Sequence, residues 1–120
     1  MIEVLQESKG NVLALRAKRK LTDQDYKDVL IPHLESIIHE NGKARLLIEM
    51  GDDFHGWEAK ALWGDARFGL THRNDFEKMA VGGGPRWIEW GLKLGALIMS
   101  GELKSFSSSE RVEALLWIRA

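Results

Sequence analysis

No cysteine occurs among the 120 residues, which excludes a disulfide framework, a thiolate nucleophile and a zinc–thiolate centre. Net charge is nearly absent too: 17 basic and 18 acidic side chains leave −1. No global field draws such a chain to nucleic acid or to an anionic membrane, and nucleic acid is not expected as a partner. Apolar runs stop well short of the roughly 18 residues that a membrane-crossing helix requires, and Glu3 stands where a signal peptide would carry base. A cytoplasmic protein without a transmembrane segment is the expectation. What is present suits one core, because 44% of the residues are hydrophobic and the length is that of a single domain over 1–120.

Periodicity divides the chain into strands and helices. Residues 1–6 and Val12-Leu13-Ala14-Leu15-Arg16-Ala17 read as a hairpin about the turn residues Glu7-Ser8-Lys9-Gly10-Asn11. Thr22 is a capping residue ahead of early acids, and Tyr26, Val29, Leu30, Leu34, Ile37 and Ile38 recur at helical spacing up to Asn41-Gly42. Pro32 inside that stretch predicts a kink or a fresh start near Ile31. Arg45-Leu46-Leu47-Ile48-Glu49-Met50 reads as a central strand covered on both faces. A second helix is expected from Trp57 to about Thr71, a strand over Phe76-Glu77-Lys78-Met79-Ala80-Val81, and a third helix from Pro85 to about Met99. Glu102-Leu103-Lys104-Ser105-Phe106 alternates as an edge strand, and Ser107 with Glu110 fits a capping box opening a last helix. The expected fold is α/β: about five strands in a mixed, mostly parallel sheet with four helices, in the order β-β-α-β-α-β-α-β-α.

Ligands of parallel sheets collect outside the carboxyl ends of the strands. Three connections should meet there: Arg19-Lys20, Gly51 to Gly56, and Gly82-Gly83-Gly84-Pro85-Arg86. The last places bare amides at a helix start, because proline suits the first helical position and glycine allows close approach. Such a terminus favours an anion. No Gly-Lys-Ser or Gly-Lys-Thr follows the glycines, nor are they spaced as in a dinucleotide fingerprint, so no nucleotide cofactor is expected. His55 beside Asp52 and Asp53 falls short of the three or four ligands of a metal site, and no metal is expected. His72 suits a helix-terminal cap, while His33 and His39 read as structural. Among the five tryptophans, Trp57 and Trp87, with Trp63 and Trp90, flank the same pole as lining for an apolar pocket or as ordinary packing.

The segments Lys20-Leu21-Thr22-Asp23-Gln24-Asp25-Tyr26, Leu30-Ile31-Pro32, Phe54-His55-Gly56-Trp57, Phe68-Gly69-Leu70-Thr71-His72, Asp75-Phe76-Glu77-Lys78 and Trp87-Ile88-Glu89-Trp90 lie in order along nearly the whole chain. With Glu113-Ala114-Leu115-Leu116-Trp117-Ile118 they resemble the bacterial SpoIIAA-like (STAS-type) family. The resemblance implies a STAS-like sheet with helices packed on it, also likened to lipid-transfer domains of the CRAL-TRIO type, and it implies little about activity. The phosphorylated serine of sporulation anti-anti-sigma factors has no counterpart in Gly51-Asp52-Asp53-Phe54-His55, which disfavours a kinase-switched role. The family pattern also leads one to expect an acid before Trp87, a glycine near Arg19 and an acid near Gly64. Gly82 to Arg86 departs from it, as a rebuilt loop in an engineered variant of a natural member would.

Two functions follow as expectations. The first is a non-enzymatic binding module for a small apolar or amphipathic, lipid-like ligand or a partner protein, with Gly82, Gly83, Gly84, Arg86, Trp57 and Trp87 as ligand-binding residues; a homo-oligomer is compatible with it. The alternative is an ester-hydrolase-like enzyme with the Gly82 to Gly84 amides as oxyanion cradle and His55 as base.

Overall fold

Alternation of side chains across a pleat requires a two-sided core wherever strands are apolar throughout, and the chain builds one. In the computed structural model the described residues are 1–58, 60, 67, 71–72, 74–84 and 100–120. A five-stranded sheet runs in the order β1 (Ile2–Val4), β2 (Val12–Ala17), β4 (Ala44–Met50), β6 (Phe76–Gly82), β7 (Glu102–Phe106). β1 pairs antiparallel with β2 and every other pair is parallel. β4 is central and β7 lies at an edge, as their composition indicated.

Two features correct the expected order. β3 (Lys20–Leu21) and β5 (Gly56–Trp57) form a separate two-stranded parallel sheet, and Trp57 therefore lies in a strand rather than opening a helix. Two-residue strands carry no readable alternation. Of the four expected helices, two lie within the described residues. The helices expected over 57–71 and 85–99 fall mostly or wholly outside them, as do Pro85, Arg86, Trp87, Trp63 and Trp90.

The first described helical segment shows what Pro32 does. α1 (Asp23–Asp25) opens with a complete capping box between Thr22 and Asp25, passes into a π-turn over Tyr26–Leu30, and continues as α2 (Ile31–Asn41). Pro32 cannot donate to residue 28; the wider turn, in which the Ile31 amide reaches the Tyr26 carbonyl, accommodates that loss and restarts the helix. Leu34, Leu30 and Tyr26 then pack on Leu13, Leu15, Leu46 and Val81.

On the opposite face, α3 (Arg111–Arg119) follows a 3-10 turn capped reciprocally by Ser107 and Glu110. Ala114 and Ile118 pack on Val12, Ala14, Leu47, Ala80 and Phe106. The helix runs against the strands. Its last carbonyls are taken at the amino ends of β4 and β6, where Arg45 Nη1 donates to the Ile118 carbonyl at 2.9 Å and Lys78 Nζ to that of Trp117 at 3.0 Å. Its first turn consequently stands over the carboxyl ends of the strands.

Candidate functional site

A cleft of about 640 Å³ opens at that carboxyl pole. Its described lining comes from the ends of β2 and β4, the start of the glycine stretch and the beginning of α3. Arg16, Lys18, Arg19 and Arg111 bring positive charge, Glu49, Asp52 and Asp53 negative charge, Ser107 and Ser108 hydroxyls, and Leu47, Met50 and Ala114 apolar surface.

The floor follows from strand register. Glu3, Arg16, Glu49, Gly82 and Phe106 are successive cross-strand partners, one row across the sheet. Two residues earlier, the same face carries the apolar row Ala14, Leu47 and Ala80, which packs under α3, so this is where the α3 face turns polar. Gly82 supplies no side chain between Glu49 and Phe106, and a Cβ built there meets no described residue within 4 Å. The cleft lies over that gap.

Its polar wall is a chain of ion pairs. Glu49 accepts from Arg16 Nη2 at 3.0 Å, and its other carboxylate oxygen is 2.6 Å from Arg111 Nε. Arg111 Nη2 donates to Glu7 at 2.6 Å, and Lys18 Nζ to Glu3 at 2.7 Å. The hydrogen bonds from Arg111 and Lys18 hold the carboxyl groups of Glu7 and Glu3 below their ordinary range, and the amide of Ser107 does the same for Glu110. A carboxyl lowered in the folded state stabilises above its unfolded value of 4.5 and loses that contribution as pH falls through the lowered one. Thermal melts should therefore show Tm falling as pH drops below 4.5, and Glu7→Gln should flatten that slope while leaving the other carboxyls in place.

The glycine stretch divides by role. Gly82 ends β6. Gly83 and Gly84 turn away from the sheet at φ +73° and +88°, and a Cβ on Gly83 would stand 3.2 Å from the Met50 carbonyl oxygen, so glycine is required by both backbone and space. The Gly83 amide donates to the Phe106 carbonyl at 2.9 Å. It prolongs the ladder instead of facing a ligand. His55 is exposed, its amide bonds the Arg19 carbonyl at 2.7 Å, and no histidine is among the described residues lining the cleft. Trp57 is half-buried. Its ring meets Phe54 edge-on at 5.1 Å, and its indole N–H donates to the Tyr26 hydroxyl at 2.9 Å, which is the packing arrangement of a buried indole. His33 bonds the Val29 carbonyl and His72 the Asp75 carboxylate, both at 2.7 Å. Among the described residues no group of three or more histidines and acids could hold a metal ion, and no helix is long and apolar enough to cross a membrane.

Arg16, Glu49 and Arg111 were not singled out from the sequence. The first two had a signal, a charge near the carboxyl end of an otherwise apolar strand. Arg111 had none, since its partner Glu7 lies 104 positions away.

The comparison with known families bears directly on this fold. The profile described as SpoIIAA-like matches residues 12–119. The chain belongs to the SpoIIAA-like family. It is also similar to a solved structure, an uncharacterized protein from the DUF3478 family with a SpoIIAA-like fold from Shewanella loihica PV-4. Identity is 29%, the match covers 98% of this chain and 93% of that one, and the TM-score is 0.77. No curated protein matched. In this SpoIIAA-like chain Arg19, near which a glycine was the expectation, is the one non-glycine residue of positive φ among the described residues, at +56°. Side chains other than glycine are strained there. Arg19 holds Asp53 only at the margin, 3.9 Å from Nε and 3.4 Å from the amide. Arg19→Gly should thus raise stability by about 1 kcal/mol, or a few degrees in Tm, as differential scanning calorimetry would show.

Proposed function

We propose that this protein is a non-enzymatic binding module whose carboxyl-pole cleft takes a small amphipathic molecule. The observation that carries this reading is the cleft over Gly82: about 640 Å³, the size of a small-molecule site, with charged groups converging on one wall and apolar side chains beside them. Gly82 serves as the open floor and Gly83 and Gly84 as the turn that leaves it open. Arg86 and Trp87 stay in the proposed ligand set by their place in sequence directly after that turn, and Trp57 by its ring behind the loop carrying Asp52 and Asp53. The ester-hydrolase alternative finds no support in the placement of His55 or in the Gly83 amide, which is already bonded.

Titrating 15N-labelled protein with decanoate, a short-chain amphipath, tests the reading. Amide shifts should concentrate at Arg16, Glu49, Gly82, Ser108 and Arg111 and saturate. Shifts confined to the outer face of α3, or none, would refute it. A second reading, a protein partner, has one observation in its favour: Val112 and Leu116 lie one turn apart on α3 and are 65% and 66% exposed.

A further inference from the structure

The structure assigns the polar end of the cleft's ligand as an oxyanion, a carboxylate or a phosphate, gripped by the guanidinium groups of Arg16 and Arg111. The inference rests on the amphipath reading above. It starts from Glu49, whose side chain is only 15% exposed. One oxygen takes Arg16 and the other takes Arg111, so a single carboxylate fixes two guanidinium groups side by side. Long cationic side chains held in this way lose little further freedom when a ligand arrives.

Each guanidinium carries five N–H donors in a planar fork, and the contacts they make among the described residues leave donors over. Arg16 has one close carboxylate, because Glu3 is 3.9 Å away and is itself held by Lys18. Arg111 uses Nε for Glu49 and Nη2 for Glu7, and Nη1 takes part in neither. Both side chains line the cleft and remain 34% and 40% exposed, so their spare donors open onto it.

An oxyanion fits this wall and an ammonium does not. The acceptor nearest the floor, Glu49, hydrogen-bonds Arg16 through one oxygen, and the other is ion-paired to Arg111, buried from solvent and without a hydrogen bond among the described residues. The remaining acids, Asp52 and Asp53, come from the loop after β4, and Asp53 is turned toward Arg19. At the Glu49 end two guanidinium groups face one carboxylate within the cleft. Glu7 and Glu3 balance them from outside the described lining. Gly82, next to Glu49 in the row, leaves room for a headgroup beside the two forks, and the hydroxyl-bearing Ser107 and Ser108 border it. Bidentate guanidinium pairing favours carboxylate and phosphate over neutral hydroxyl groups. With a net charge of −1 the whole protein offers anions no general attraction, so any preference is local.

Calorimetric titration at physiological salt with decanoate, decyl phosphate, decanol and decyltrimethylammonium tests this, one tail carrying four headgroups. Decanoate or decyl phosphate, or both, should bind about tenfold or more tighter than decanol, and which of the two is tighter identifies the oxyanion. Arg16→Met and Arg111→Met should each bring that ratio toward one while decanol affinity holds. Arg16→Lys, which keeps charge without the fork, should restore only part of it, and thermal melts confirm that each variant is folded. Equal binding of decanol and decanoate, tighter binding of decyltrimethylammonium, or an anion preference that survives in both methionine variants would overturn the inference and leave the amphipath reading standing. No binding of any of the four would overturn both.

Discussion

Gly101→Ala should be among the most destabilising single methyl additions in the protein, lowering stability by about 3 kcal/mol or more and Tm by roughly 10 °C. A Cβ at Gly101 would press on the Phe76 carbonyl oxygen and stand 2.7 Å from that of Glu77, with the Glu77 carbonyl carbon at 3.0 Å. These are backbone atoms of β6, already committed to a ladder, and no rotamer change can move them. Relief requires β7 to retreat from β6, beginning with the pair Lys78 and Glu102 and passing to Gly82 and Phe106. Chemical denaturation checks the magnitude. Its structural consequence appears at the Gly83 amide, which loses the Phe106 carbonyl and should lose hydrogen-exchange protection with it.

The second large effect belongs to Ile118→Ala, with an expected loss of about 3 to 4 kcal/mol. Ile118 is 0% exposed, and its side chain fills the space among Leu47, Ala80, Phe106 and Ala114. The neighbours are anchored in strands and in the helix itself, so collapse around the cavity is limited. Because α3 also carries Arg111, the variant should weaken decanoate binding as well as folding. By contrast, Val112→Ala on the exposed face of the same helix should change stability by no more than about 0.5 kcal/mol. Equal losses from the two substitutions in urea unfolding would contradict the placement of α3.

The fold was legible where burial imposes a period. Leu46-Leu47-Ile48 revealed a strand covered on both faces, Ser107 with Glu110 announced the last helix, and Pro32 announced a restart that the π-turn supplies. β3 and β5 were not legible, because two residues show no alternation, and Trp57 was consequently assigned to a helix. The pole of the sheet was foreseen from connectivity alone. The loops supply only part of its chemistry: His55 is not among the described residues that line the cleft, and the Gly83 amide bonds the Phe106 carbonyl. The charged row of Arg16 and Glu49 lies within strands, where a charge near a carboxyl end was the available clue. Arg111 reaches it only through the packing of α3, which no local pattern announces.

The cleft over Gly82 carries the proposed binding function, and Gly82→Leu tests it most directly. The backbone at Gly82 is that of a strand, and a Cβ there meets none of the described residues within 4 Å. The leucine should therefore enter the cleft without lowering Tm, since at this strand-end position, where φ is not left-handed, a side chain restricts the unfolded chain more than glycine does. In a calorimetric titration with decanoate, the account predicts that wild type binds and the folded Gly82→Leu protein does not. Unchanged binding by the folded variant would contradict it.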